Sequence, residues 1–268
     1  MFRNISIVGV GNLSQTLLYC IKNKSLKLNI SLYDLNKKKK VFASKKEWSF
    51  STKINKSLSE SDLVILAVKP YQYKDVCAKI NTYANNKAVI VSLMAGITIK
   101  DLKEAFPDKL SIARVMTNIN AKYSNAISSI YIDKRFRKDK IASLKKFFSL
   151  FGSINILKSE SQINKITALV GSGPAYFIYF AESMIKTFQS FGFTKYESEI
   201  LVCELFYGTA KTCITDKRSL DEIKKSVVSK GGTTEAALKK FDKLKTKKII
   251  MESIREAFVR AVDLGKGK

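Results

Sequence analysis

The sequence predicts an α/β protein in two parts, an open, doubly wound sheet over residues 1–158 followed by an all-helical domain over residues 159–268. Three observations carry that division. Short apolar runs alternate with amphipathic stretches through about the first 155 residues, the rhythm of strand–helix–strand units. Runs such as LVILAV and AVIVSL are apolar throughout, as strands covered on both faces of a parallel sheet must be. From about Ser159 onward no convincing β run occurs, and the apolar residues follow a helical period.

The first strand, Ile5–Val8, leads through a glycine turn into a helix over Leu13–Lys22. Further strands are expected at Ile30–Tyr33, Leu63–Ala67, Ala88–Ser92, Ser111–Val115, Ala126–Tyr131 and Ile154–Ile156. Helices over Tyr71–Tyr83, Ile99–Phe106 and Lys138–Leu150 separate most of them. In the second part the helical period spans Ser161–Val170, Pro174–Phe191, Lys195–Thr212, Leu220–Val227, Glu235–Leu244 and Lys247–Leu264. Pro174 suits a first helical turn, where its missing N–H removes no bond, and Gly192 suits a helix stop. Segments such as AYFIYFAESMIKTF and EILVCELFYGTAKT are apolar on more than one face. These helices cannot easily bury that surface alone, so a second copy of the chain is expected to cover it, which makes this an all-α dimerisation domain.

Composition narrows the function classes. A formal charge of +25 suggests a nucleic-acid partner, but only seven of the 48 basic residues are Arg, and the aromatics fall in apolar runs such as YFIYF. Codon-level drift in an AT-rich genome produces such a lysine-rich surface without selection for charge, so no nucleic-acid partner is expected. The apolar runs around Leu63–Val68 and Ala88–Ile97 are far shorter than the roughly 20 residues that cross a bilayer. MFRNISIVGVGN lacks the apolar core and cleavage site of a secretory signal, so a cytoplasmic protein with no membrane partner is expected. Cys20, Cys77, Cys203 and Cys213 are scattered and there is no histidine, so no metal site is expected and imidazole chemistry is excluded. Hydroxyls, carboxylates, lysines, backbone amides or a cofactor must supply any catalysis.

The motifs point to a cofactor. Gly9-Val10-Gly11-Asn12-Leu13-Ser14 follows a strand and opens a helix, the setting of the dinucleotide fingerprint of a Rossmann-type sheet. Gly9 permits the tight turn, Gly11 lets the backbone approach a pyrophosphate, and the amides of Asn12 and Leu13 point at the anion with the helix dipole behind them. Asp34 lies 23 residues after Gly11, close to where an acid contacts the adenosine ribose. Asp34 favours NADH, whereas the lysines that follow, from Lys37 on, suit a 2′-phosphate, so NADH and NADPH both stay open, with Asn36 and Lys37 counted among the cofactor-binding residues. Val68-Lys69-Pro70, Ala95-Gly96 and Asn118, the last in ARVMTN, fall at the carboxyl ends of three later strands, where open α/β sheets bind ligands.

The stretches SIVGVGNLS, LAVKP, SLMAGIT, ARVMTN, ALVGSGPAYFIYF and SKGGTTEAAL stand in an order and spacing that resemble the pyrroline-5-carboxylate reductases nearly end to end. GSGPAYF and the GGTT turn are the least generic of them. The chain departs from the family pattern at Thr117, Asn120 and Lys230, where proline is usual, and at Ser14, where Ala or Gly is usual. The resemblance implies reduction of the cyclic imino acid 1-pyrroline-5-carboxylate to L-proline by NADPH or NADH, in homodimers that often assemble into decamers. Amides around Gly231, Gly232 and Thr233 at a helix N-terminus, with the Ser229 hydroxyl, offer a cradle for the substrate carboxylate. By resemblance, Thr234 is the catalytic residue, hydrogen-bonded to the ring nitrogen. The alternatives are a related imine or hydroxyacid reductase, with Lys165 as its catalytic candidate, and a non-catalytic NAD(P)-binding regulator.

Overall fold

The computed structural model describes residues 2–109 and 111–266. The outermost residues of the two expected domains, Met1, Gly267 and Lys268, lie outside the described ones. Among the described residues eight strands form one sheet: β1 (Asn4–Val8), β2 (Asn29–Tyr33), β3 (Trp48–Ser51), β4 (Leu63–Leu66), β5 (Val89–Ser92), β6 (Ile112–Met116), β7 (Ala126–Ile132) and β8 (Gly152–Ile156). Their order is β3-β2-β1-β4-β5-β6-β7-β8, and every neighbouring pair is parallel except β6 with β7. The chain runs outward from β1 to β2 and β3, then returns to lay β4 on the other side of β1. The carboxyl ends of β1 and β4 therefore flank a point where the winding reverses, the place where open sheets form crevices.

The residues explain the layers. LVIL in β4 is buried at all positions, because successive side chains enter opposite faces and both faces are covered. Leu63, Ile65, Val89 and Val91 pack on one side with Leu17 of α1 (Asn12–Lys22) and Phe147 of α4 (Lys138–Phe148). Val64, Leu66 and Ile90 pack on the other with Ile80 of α2 (Tyr73–Tyr83) and Leu102 of α3 (Ile99–Ala105). A 3-10 turn, Pro70–Gln72, precedes α2, so that helix begins two residues later than the periodicity predicts. Strand β3 has no counterpart among the expected strands. It pairs only with β2 at the sheet edge, and WSFS buries Trp48 while leaving Ser49 exposed.

Contacts divide the chain into two compact units, the first running up to Pro174 and resuming at Ala257, the second covering Ala175–Glu256. The sheet unit thus includes α5 (Gln162–Ile166) and the π-helical turn Thr167–Gly171, anchored by buried Ile163 and Ala168. Those segments lie beyond residue 158, where the sequence pattern places the domain boundary. Lys165 of α5 is exposed.

The second unit is helical. It comprises most of α6 (Gly173–Ser190), α7 (Lys195–Thr215), α8 (Leu220–Ser226), α9 (Thr233–Lys243) and the first part of α10 (Thr246–Asp263). Reciprocal capping boxes start α7, from Thr194 and Glu197, and α8, from Ser219 and Glu222. Gly192, at φ 95°, makes the left-handed turn that ends α6. Among the described residues of this unit Val202 is the only buried hydrophobic side chain, while Phe177, Tyr179, Leu205, Tyr207, Ile249 and Met251 are all more than half exposed. No described helix is long and apolar enough to cross a membrane.

Candidate functional site

The glycine turn after β1 opens onto a cavity of about 1280 Å³ in the sheet unit. Its wall runs from Asp34 at the end of β2, past Gly9 and Gly11, to Val68, Lys69 and Pro70 after β4 and Ala95 after β5. Gly9 has φ 94°, and a Cβ there would stand 2.6 Å from the Ala67 carbonyl oxygen, so the turn is held against the neighbouring strand by two bare backbones. A Cβ on Gly11 would meet nothing within 4 Å. That open face adjoins the start of α1, whose N-cap is Gly11 and whose first amides have no side-chain cap. An uncapped helix N-terminus beside a bare, accessible backbone fits a pyrophosphate.

Side chains hold the turn in this shape. Asp34 accepts the Val10 N–H at Oδ2 (2.7 Å) and the Asn36 N–H at Oδ1 (2.9 Å), which fixes its carboxylate at the cavity edge. The fully buried Ser14 donates its hydroxyl to the Gly9 carbonyl at 2.6 Å. A small hydroxyl residue therefore satisfies an otherwise orphaned carbonyl of the turn, which accounts for Ser at the fingerprint's last position.

Of the expected cofactor residues, Gly9, Gly11, Asn12, Leu13, Asp34, Val68, Lys69, Pro70 and Ala95 line the cavity together. Asn36, Lys37, Gly96 and Asn118 are not in its wall. The Asn36 side chain accepts from Lys38 N and caps the 3-10 turn that begins at Lys37. Gly96 packs against Gly265. Asn118 is occupied on both sides of its amide, Oδ1 accepting from Asn120 N (3.1 Å) and Nδ2 donating to Val170 O (3.0 Å). Pro174 has no N–H to give the carbonyl four residues back, and Asn118 supplies the missing donor. Sequence reasoning missed Thr52 and Lys53 after β3, Tyr71 and Gln72 after Pro70, and Leu264, all in the cavity wall. The position of Tyr71 and Gln72 directly after a ligand-compatible strand end was the available signal for those two.

In the helical unit, SKGGTTEAAL forms a turn into α9. Gly232 is the N-cap, with no side-chain cap, so Thr233 is the first helical residue and not a cap. Two amides expected to be free are engaged: Gly231 N–H donates to Glu235 Oε2 (2.7 Å) and Gly232 N–H to the Ser229 carbonyl (3.0 Å). The Gly231 hydrogen bond, followed by Lys239, holds the Glu235 carboxyl below its usual range, so this brace persists into mild acid. With those two N–H groups engaged inside the turn, the expected cradle of Gly231, Gly232 and Thr233 keeps fewer outward donors than the sequence suggests. Gly231 sits at φ 75°, the left-handed region that favours glycine, and a Cβ on Gly232 would stand 2.3 Å from Ser229 Oγ, so a side chain there would turn that hydroxyl aside.

An open sheet with a bare glycine turn, a braced acid at the cavity edge and a cavity at the winding reversal defines a dinucleotide-binding oxidoreductase fold carrying a helical second unit. A family profile described as NADP oxidoreductase, coenzyme F420-dependent, matches residues 4–96, and one described as pyrroline-5-carboxylate reductase dimerisation matches residues 160–264. The pyrroline-5-carboxylate reductase of Staphylococcus aureus (strain COL) is 30% identical over 263 residues, covering 96% of each chain. The chain belongs to the pyrroline-5-carboxylate reductase family. A solved pyrroline-5-carboxylate reductase from Coxiella burnetii superposes with a TM-score of 0.84 at 27% identity over 98% of both chains. The Plasmodium falciparum pyrroline carboxylate reductase with NADP bound shares the fold, with a TM-score of 0.89 at 22% identity over 98% of both chains.

Proposed function

We propose that the protein reduces 1-pyrroline-5-carboxylate to L-proline with NADPH or NADH, the last step of proline biosynthesis. The observation that carries this reading is family membership along nearly the whole chain, 96% of it aligned with the Staphylococcus aureus enzyme. The open backbone at Gly11, facing a long cleft at the carboxyl ends of the strands, agrees with it.

When bound, NAD(P)H supplies the hydride, so the protein has to hold two rings and fix charge. Gly9 and Gly11 let the backbone approach the pyrophosphate, and the amides of Asn12 and Leu13 donate to it. Asp34 accepts from the adenosine ribose, while Val68, Lys69, Pro70 and Ala95 line the rest of the cavity. In the helical unit, the Thr233 and Thr234 amides and the Ser229 hydroxyl donate to the substrate carboxylate, helped by the α9 dipole. The Thr234 hydroxyl donates to the ring nitrogen, which gains basicity as the imine is reduced. The final proton comes from solvent or through a hydroxyl and water, so a histidine-free chain meets the demand. A second copy of the chain covers the exposed faces of α6, α7 and α10, making the protein a homodimer at least.

Initial rates with pyrroline-5-carboxylate, run with NADH and NADPH in parallel, test the reading. Imine-dependent oxidation of at least one cofactor with proline as product is expected. No oxidation of either by the folded protein would overturn it.

A further inference from the structure

We infer that the turn Leu264–Gly265, which follows α10, is part of the cofactor site: Leu264 closes the cavity at the carboxyl end of β5 and positions the nicotinamide end of the dinucleotide. The inference rests on the proposed reading of the cavity as a dinucleotide site. Leu264 lies in the cavity wall with Leu93, Met94 and Ala95, although it comes from a distant part of the chain. It belongs to the same compact unit as the sheet, because the chain re-enters that unit at Ala257 and is anchored there by Ala261, 3% exposed.

The close approach of two glycines sets where Leu264 stands. Gly96 has φ 80°, and a Cβ on it would lie 2.3 Å from Gly265 N. A Cβ on Gly265 would lie 2.5 Å from Gly96 O. Backbone therefore rests on backbone, and any side chain at either position must displace the turn, carrying Leu264 with it.

The sheet order supplies the direction. Asp34 at the end of β2 marks the adenosine side of the glycine turn, and β4 and β5 lie on the opposite side of β1. A dinucleotide whose pyrophosphate sits at Gly11 thus extends its other half past Val68–Pro70 toward Ala95. There Leu264 offers an apolar contact that excludes water from one side of the ring and restricts its orientation.

The test uses the full chain and three variants, Leu264→Ala, Leu264→Met and Gly265→Ala. NADPH and NADH dissociation constants are measured by fluorescence without substrate, together with thermal unfolding midpoints and initial rates. Leu264→Ala and Gly265→Ala are expected to weaken the wild-type cofactor roughly three- to tenfold, as loss of a partly buried leucine contact implies, with Leu264→Met within about twofold of wild type. Leu264→Ala should raise KM for the cofactor more than it lowers kcat and leave the cofactor-free unfolding midpoint unchanged. Wild-type affinity in both Leu264→Ala and Gly265→Ala overturns the inference while leaving the reductase reading intact. So does a loss of affinity in Leu264→Ala that appears only with a lowered unfolding midpoint and is equally large in Leu264→Met. A wild-type protein that binds neither cofactor overturns the underlying reading itself.

Discussion

Thr234 sits in the first turn of α9, half-buried, beside a loop whose two glycine N–H groups are hydrogen-bonded to Glu235 and Ser229. Because Glu235 and Ser229 already hold Gly231 and Gly232, removing the Thr234 hydroxyl should leave the turn in place. Thr234→Ala is therefore expected to lower kcat about 10- to 100-fold, the roughly 1.4–2.7 kcal/mol of one hydrogen bond made in the transition state, with little change in stability. Steady-state rates equal to wild type would remove Thr234 from the chemistry. The amide inventory of this turn was only half legible in the sequence. S-x-G-G-T-T announces a tight turn into a helix, but whether each N–H faces outward depends on where the Glu235 side chain folds back, which composition does not encode. Asn118 shows the same gap: an Asn after a strand suggests a ligand contact, but its second task, tying the Asn120 N–H to the Val170 carbonyl, emerges only from the fold.

Among the elements, strands β4 and β5 were readable because two-sided burial demands apolar residues at every position. β3 was not, since an edge strand needs one buried anchor and WSFS supplies only Trp48. Between elements, one charged contact joins three segments of the sheet unit. Arg114 of β6, 2% exposed, donates from Nη1 to Glu160 Oε1 at 2.9 Å, and the same oxygen accepts the Ile99 N–H at the start of α3. Burial pushes the Arg114 guanidinium below its usual pKa, Nε and Nη2 have no hydrogen-bond partner among the described residues, and Glu160 is the carboxylate bonded to it, with Asp101 adding a weaker attraction. Glu160→Ala should therefore destabilise by about 3 kcal/mol, because it strands a buried cation, whereas Arg114→Met, which removes the charge and keeps the bulk, should cost distinctly less. Urea unfolding of the two variants checks the order, and an equal or reversed ranking would refute it.

For the whole molecule, a helical unit with Val202 as its one buried hydrophobic side chain among the described residues cannot supply its own core. Leu205→Glu and Tyr207→Glu, both on exposed positions of α7, are expected to shift the protein toward smaller species in light scattering after gel filtration, with reduced activity. Retention of the wild-type mass in the double variant would mean that this face is not the one that pairs. The helical character and its surplus of apolar residues could be read from the sequence; the return of the chain to the sheet unit at Ala257 could not, because that contact depends on tertiary packing and not on local periodicity. This return also orders events in time. During synthesis the sheet can gather its eight strands early, but its cavity lacks the wall at Leu264 until the entire intervening helical segment has emerged. A nascent chain therefore carries an incomplete nucleotide pocket for much of its synthesis, and completing that pocket is coupled to the last stage of folding.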